Sequence, residues 1–283
     1  MNAVKLKLDH KELLYDALKN IDTKVSEYSF SNLYLFRERH EYRLLSNNNN
    51  YIIGKTVDNV DYIMPTFDLN VVGVGEICKL AKDLNKIIFP VDEKWLELFK
   101  TYDVNIFCDE ADRDYIYTLE KMCTYKGRKL HKKRNLLKQF IQSYTYSVKA
   151  LTDGEVENAK VILDEWIYDS GMSASETDYS ACQEALNLLD TLMLCGLIYY
   201  VENEPAGFIL GEEIHPDTFA IHFAKAKKKY KGIYQFIYNN FAKMLPKKYK
   251  YLNFEQDLGK ASLKITKSSY IPDILLNKYR VVF

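Results

Sequence analysis

The sequence predicts an α+β protein built from two halves that repeat one order of elements. Three observations carry this. Each half reads as strands, a glycine-bearing loop, a helix and then a further strand. Both characteristic periods, 3.6 and 2, recur along the chain. Apolar residues make up 47%, with only 11 glycines and 6 prolines, enough to bury a core in each half. A length of 283 residues admits one large domain or two ordinary ones. One mixed α/β domain is the alternative reading.

In the first half, residues 9–20 place Leu13, Leu14, Ala17 and Leu18 on one helical face. Residues 32–37 are mixed aromatic and polar. Strands are expected over 51–56 and 60–64, around the turn Asp58-Asn59. Gly73 and Gly75 precede a helix over 76–84, striped by Ile77, Leu80, Ala81 and Leu84. A β-branched strand at 86–89 and a helix at 93–99 follow. In the second half, 143–151 alternates as a strand, and helices are expected from 153 or 154 to about 168 and over 179–194. Strands follow at 197–202, 206–214 and 218–226. The basic loop 227–232 leads into a helix over 234–245, and 249–254 is a last strand. The highly charged stretch 113–142 reads as a connecting segment. The expected domains are therefore 1–142 and 143–283.

Lysine plus arginine and aspartate plus glutamate each total 39, so the net charge is zero, which excludes a polycation held on nucleic acid by bulk charge. The five cysteines contain no C-x-x-C pair, so neither a disulfide framework nor a zinc site is expected, and no metal-ligand cluster is visible. The longest apolar run, 192–201, is half a membrane span. With no apolar leader, the expected location is the cytoplasm, either free or peripheral to the membrane. The 23 tyrosines suit cores and clefts alike.

Three segments could carry chemistry. The first, 126–135, gathers Lys126, Arg128, Lys129, Lys132, Lys133 and Arg134 around His131, ending at Asn135. Such a concentration of cations can hold phosphates, an acidic head group or an RNA backbone; it can equally be a solvated helix face. The second is the strand–loop–helix unit 218–245. Lys225 and the lysines of the loop precede Gly232 and Ile233 at a helix N-terminus, a place that favours anions. The spacing is neither a Walker loop nor G-x-G-x-x-G. The third is 253–259, where Glu255 and Asp257 would share one face of an extended strand end. Either could accept a proton from an amine, or pair with Lys264 or Lys267. His222 alternates with Phe219, Ile221 and Phe223, so it either lines a cleft or is a satisfied core histidine. Tyr234 and Tyr270 could act as acids or clamps, or simply pack.

Five of these stretches, read in order, resemble a known family: GRKLHKKRN at 127–135, IHFAKA at 221–226, GIYQ at 232–235, NFEQDLG at 253–259 and KITKSSYIP at 264–272. The chain resembles the bacterial family of unknown function numbered 2156, related to the C-terminal catalytic region of phosphatidylglycerol lysyltransferases. The resemblance runs from about Ser31 to the C-terminus. It implies two tandem acyltransferase folds of the GNAT type, the first degenerate and the second carrying the active site. In such folds the loop before the helix at 234 binds the pyrophosphate of acyl-CoA. Here Gly232 stands in that loop, but Q-x-x-G-x-G is absent. The lysyltransferases use aminoacyl-tRNA instead. At residue 254 the family usually has arginine where this chain has Phe254, and Lys264 replaces a common arginine.

The resemblance implies an acyl or aminoacyl transferase with acyl-CoA or aminoacyl-tRNA as donor and no tightly bound cofactor. The acceptor would be an amine or hydroxyl of a small molecule or lipid head group. Glu255, Asp257, His222 and Tyr234 are the expected catalytic residues. Lys225, Gly232, Ile233, Arg128, Lys129, His131, Lys133, Arg134, Asn135 and Lys267 are the expected donor-binding set. The competing reading is a non-catalytic module that binds a phosphorylated ligand or RNA.

Overall fold

The computed structural model describes Ala3–Phe283. The chain folds into two compact units. The first comprises the described residues up to Asp114, with Gln256–Lys264 and Leu275–Phe283; the second comprises Tyr115–Glu255 and Ile265–Ile274.

The elements run β1 (Val4–Lys5), α1 (Lys11–Lys19), α2 (Phe30–Leu35), β2 (Arg43–Ser46), β3 (Asn50–Lys55) and β4 (Asp61–Pro65). Next come α3 (Leu69–Val72), α4 (Gly75–Asp83), β5 (Ile87–Val91) and β6 (Asn105–Cys108). β7 (Asp114–Thr118) leads to α5 (Leu119–Thr124), α6 (His131–Ser143), β8 (Tyr146–Ala150), α7 (Val156–Ser170) and α8 (Tyr179–Asn187). The central strands β9 (Cys195–Val201), β10 (Glu204–His215) and β11 (Thr218–Ala226) precede α9 (Ile233–Met244) and β12 (Tyr251–Asn253). α10 (Ala261–Ser268), β13 (Ile274–Leu276) and β14 (Tyr279–Val282) close the chain.

Each unit holds a seven-stranded sheet, in the order β1-β2-β3-β4-β5-β14-β6 and β13-β7-β12-β11-β10-β9-β8. The expected repetition is visible in strand direction. β2, β3 and β4 are successively antiparallel and β4 runs parallel to β5. β9, β10 and β11 are likewise antiparallel and β11 runs parallel to β12. A parallel step needs a crossover, supplied by α3 and α4 in one unit and by α9 in the other. A further antiparallel strand then flanks the parallel pair: β14 beside β5, and β7 beside β12.

The chain divides at Asp114/Tyr115 rather than at Ser143. The stretch read as a connecting segment is part of the second unit's core. Asp114 of that stretch is buried in the first unit, but beyond it most of the charged residues are exposed, while Tyr115, Tyr117, Met122, Tyr125, Leu130 and Phe140 are all buried. β7 also pairs directly with β12, Asn253 opposite Ile116. Two other expectations shift. Residues 93–99 wind as a tighter 3-10 helix. The helix expected to reach Leu194 stops at Asn187, with Met193 left-handed in the following turns at φ 54°.

Many of the tyrosines serve this core with their hydroxyls tethered. Tyr117 donates to the Lys267 carbonyl at 2.7 Å and Tyr125 to the Gln235 carbonyl at 3.0 Å. Phe254, where the resemblance would place an arginine, lies 4.7 Å from the Tyr117 ring and 4.8 Å from that of Tyr238.

Candidate active site in the second unit

The register between β10 and β11 breaks at two points, between Leu210 and Gly211 and between Glu213 and His215, and the first of them sets the site. Leu210 faces Phe223 and Gly211 faces Ile221, so His222 is an extra residue with no partner. Such a bulge re-aims a side chain out of the regular alternation. The His222 side chain is sealed at 0% exposure. Its Nδ1 lies 2.7 Å from Glu255 Oε1 and its Nε2 lies 3.0 Å from Glu212 Oε1. Burial alone would drive the imidazole neutral. The Glu255 and Glu212 carboxylates overcome that and push its pKa up to about 10. With a carboxylate at each ring nitrogen, both can donate only in the imidazolium form.

Glu255 is held by its own backbone as well. β12 ends at Asn253, which is fully buried, and the Glu255 N–H donates to Asn253 Oδ1 at 2.6 Å. Glu255 then turns left-handed at φ 59°. That conformation costs a β-carbon-bearing residue about 1–3 kcal/mol and persists only where the surroundings over-determine it. Its carbonyl accepts from Tyr115 N–H at 3.2 Å and from Lys267 Nζ at 3.1 Å, and the same ammonium donates to the Phe254 carbonyl.

The structure therefore brings His222, Glu255 and Lys267 together, adding Glu212, which the sequence reading missed. The signal was the acidic pair Glu212-Glu213 inside the otherwise apolar run 208–214. Asp257 does not share a strand face with Glu255, because the backbone is no longer extended there. It belongs to the first unit, where it accepts the Gly259 N–H at 2.8 Å, and Lys264 pairs with Glu110 at 3.2 Å. Tyr234 closes the loop between β11 and α9: its hydroxyl accepts from Ala226 N–H at 3.2 Å, and burial holds its pKa up at about 12.

The two basic groups differ sharply. Before α9, Lys225 Nζ lies 2.6 Å from Asp178 and 3.6 Å from the Trp166 ring centroid. Lys227 pairs with Glu165 at 2.7 Å and Lys229 with Glu204 at 3.1 Å. Gly232, left-handed at φ 88°, starts α9, and a β-carbon on it would stand 2.3 Å from the Leu136 carbonyl of α6. Its permissive backbone serves contact with that helix, and Ile233 beside it is buried. At 126–138 the picture reverses. Lys126, Arg128, Lys129, Lys132 and Lys138 are exposed, and among the described residues none has an acidic partner. Arg134 is spent on local structure, bonding the Tyr125 and Gly127 carbonyls, and His131 bonds Asn135 at 3.1 Å. Lys133 is half-buried over the face of Tyr270, 3.9 Å from its centroid, and burial lowers its pKa.

A mixed sheet in which three successively antiparallel strands are followed by a parallel step across a helical crossover, present twice in one chain, is a tandem GNAT-like fold. Comparison with known proteins then narrows the class. The family described as phosphatidylglycerol lysyltransferase, C-terminal, matches residues 18–282, and this chain belongs to it. A conserved protein of unknown function from Bacteroides thetaiotaomicron is similar in structure, with a TM-score of 0.84 at 24% identity over 99% of both chains. The L-PGS structure from Bacillus licheniformis aligns with a TM-score of 0.57 at 16% identity over 93% of each chain. An uncharacterised protein of Mycoplasmoides gallisepticum is 25% identical over 195 residues, 68% of this chain; the match spans 62% of that relative's length. No helix among the described residues is long and apolar enough to cross a membrane, and no three His, Cys, Asp or Glu side chains among them are arranged to hold a metal ion.

Proposed function

We propose that the second unit is an aminoacyltransferase that takes its aminoacyl group from aminoacyl-tRNA and delivers it to an amine or hydroxyl acceptor. The single observation supporting this donor is the contrast between the two basic groups. Where a GNAT fold would hold the pyrophosphate of acyl-CoA, Lys225, Lys227 and Lys229 are neutralised by their own acids, leaving Lys228 and Lys231 as the exposed cations of that loop, and α6 occupies the approach to Gly232. The exposed cations of 126–138 are uncommitted, and spread along a surface they suit a polyphosphate backbone rather than one pyrophosphate.

In the reaction, the acceptor nitrogen or oxygen attacks the ester carbonyl of the donor. The new C–N or C–O bond forms as the ester C–O bond to the terminal ribose breaks. Glu255 accepts the proton of the acceptor and returns it to the departing ribose hydroxyl. The rest of the rate comes from positioning. In the first unit, Glu76 lies in the opening turn of α4, where Asn47 and Asn49 donate to its carboxylate at 3.1 and 2.8 Å. An internal carboxylate thus sits at that helix N-terminus, consistent with a structural role for this copy.

The test is transfer from charged tRNA, with acyl-CoA esters in parallel. Glu255→Gln should slow transfer by about 10²–10⁴-fold while leaving tRNA affinity intact. Turnover with acyl-CoA and none with charged tRNA would overturn the donor assignment. Retention of tRNA without turnover would make the chain a binding module.

A further inference from the structure

We propose that Glu212 is a positioning residue, acting through His222 to keep the Glu255 carboxylate charged and aimed at the acceptor. The inference rests on the reading of Glu255 as proton acceptor and adds a residue that does not itself reach substrate. The geometry is a linear chain. Glu212, buried on β10, meets one ring nitrogen of His222, and Glu255, at the end of β12, meets the other. With its side chain sealed and both nitrogens engaged, His222 is not placed to exchange protons with a substrate. What it can do is fix one oxygen of Glu255.

Among the described residues, the cation beside this linear chain is Lys267, whose ammonium donates to the Phe254 and Glu255 carbonyls. The nearest cation on β11, Lys225, turns to Asp178 and Trp166, and Lys227 turns to Glu165 of α7. α9 presents Ile233, Phe236, Ile237 and Phe241 to the core. β10 and the end of β12 thus supply the acids that face the ring. Neutral imidazole has one N–H and one lone pair, so it can bond only one of two carboxylates and repels the other. Only the cationic ring therefore holds Glu255 and Glu212 at once; once neutral, it leaves the two carboxylates to compete for a single N–H. Two carboxylates carry that state up to about pH 10, so the hold is constant across ordinary pH. Replacing Glu212 by glutamine keeps an acceptor for Nε2–H but removes one of the two charges, leaving burial less opposed.

The experiment follows transfer from charged tRNA by the full chain across pH, together with the ring titration of His222 by NMR. Glu212→Gln should move the alkaline limb of kcat and the ring titration down together, by about one pH unit or more, with KM for tRNA within about twofold of the parent. Glu212→Asp should recover part of the shift. Should Glu212→Gln fold poorly, the His222→Gln background gives a second test: there the limb disappears, and adding Glu212→Gln causes no further loss in kcat. Superimposed pH profiles of Glu212→Gln and parent, or additive losses in the double variant, would remove Glu212 from the mechanism. Undiminished transfer by Glu255→Gln would instead remove the underlying reading of Glu255.

Discussion

Lys278 shows what a single residue can hold together. It is completely buried in the first unit, with Nζ 2.6 Å from Glu27 and 2.7 Å from Asp114, and Asp114 also accepts the Ser26 N–H at 2.9 Å. One ammonium thus serves two buried carboxylates. Burial pushes the Glu27 pKa up to about 7; Lys278 opposes this and Asp114 adds to it. Folded Glu27 binds its proton more tightly than unfolded Glu27, whose ordinary value is 4.5. Its contribution to stability is therefore full below about pH 4.5 and is lost as pH rises through about 7. Glu27→Gln should flatten the decline of stability across that window, read as denaturation midpoints at several pH values. Parallel curves for the two proteins would show that Glu27 titrates normally. Such buried groups were only partly legible in the sequence. His222 and Glu255 stood out because a histidine between alanines and an acid at a strand end are unusual there. Glu212 and Lys278 did not, because what makes them matter is a partner distant along the chain.

At the scale of elements, the contact between α6 and α9 decides how the basic segment is presented. Gly232 lets α9 start against α6, while Phe140 and Phe236 stack with centroids 4.6 Å apart. Gly232→Ala meets both a positive φ, which alone costs about 1 kcal/mol or more, and a backbone carbonyl that cannot swing away. It should lower the melting temperature by several degrees, about 2–4 °C per kcal/mol for a chain of this size, and weaken tRNA binding by shifting α6. An unchanged melting temperature would mean that the two helices yield freely. Long periodic elements such as α1, α4, α9, β10 and β11 were legible because their stripes extend over several turns or pleats. α5, β2, β6 and β14 are four to six residues each, too short to show a period. α6 was legible as a basic helix face but not as part of a domain core. The charge of the stretch 113–142 made it read as a connecting segment, although Phe140 and the preceding Leu130 are buried.

For the molecule as a whole, zero net charge and a polyanionic donor are compatible because charge is paired in one place and left open in another. Three of the five lysines before α9, Lys225, Lys227 and Lys229, cancel against acids of α7, the α8 cap and β10, so they add little to a long-range field, while exposed Lys228 and Lys231 have no acidic partner among the described residues. The exposed cations at 126–138 have no such cancellation. Binding driven by them releases counterions, and the logarithm of affinity falls with the logarithm of salt by about 0.7–0.9 per phosphate neutralised. Replacing Arg128, Lys129 and Lys132 together by glutamine should therefore make that slope shallower by about 2–3 and weaken binding most at low salt. Replacing Lys225 and Lys227 by glutamine should leave the slope unchanged, because their charge is already spent within the protein, even where it lowers stability by exposing Asp178 and Glu165. Anisotropy of labelled tRNA measured from about 50 to 300 mM salt separates the two cases, because a cation that touches phosphate changes the slope and one that only supports the fold shifts the intercept. Equal slopes for both variants and the parent would place the tRNA elsewhere on the molecule and reopen acyl-CoA as the donor.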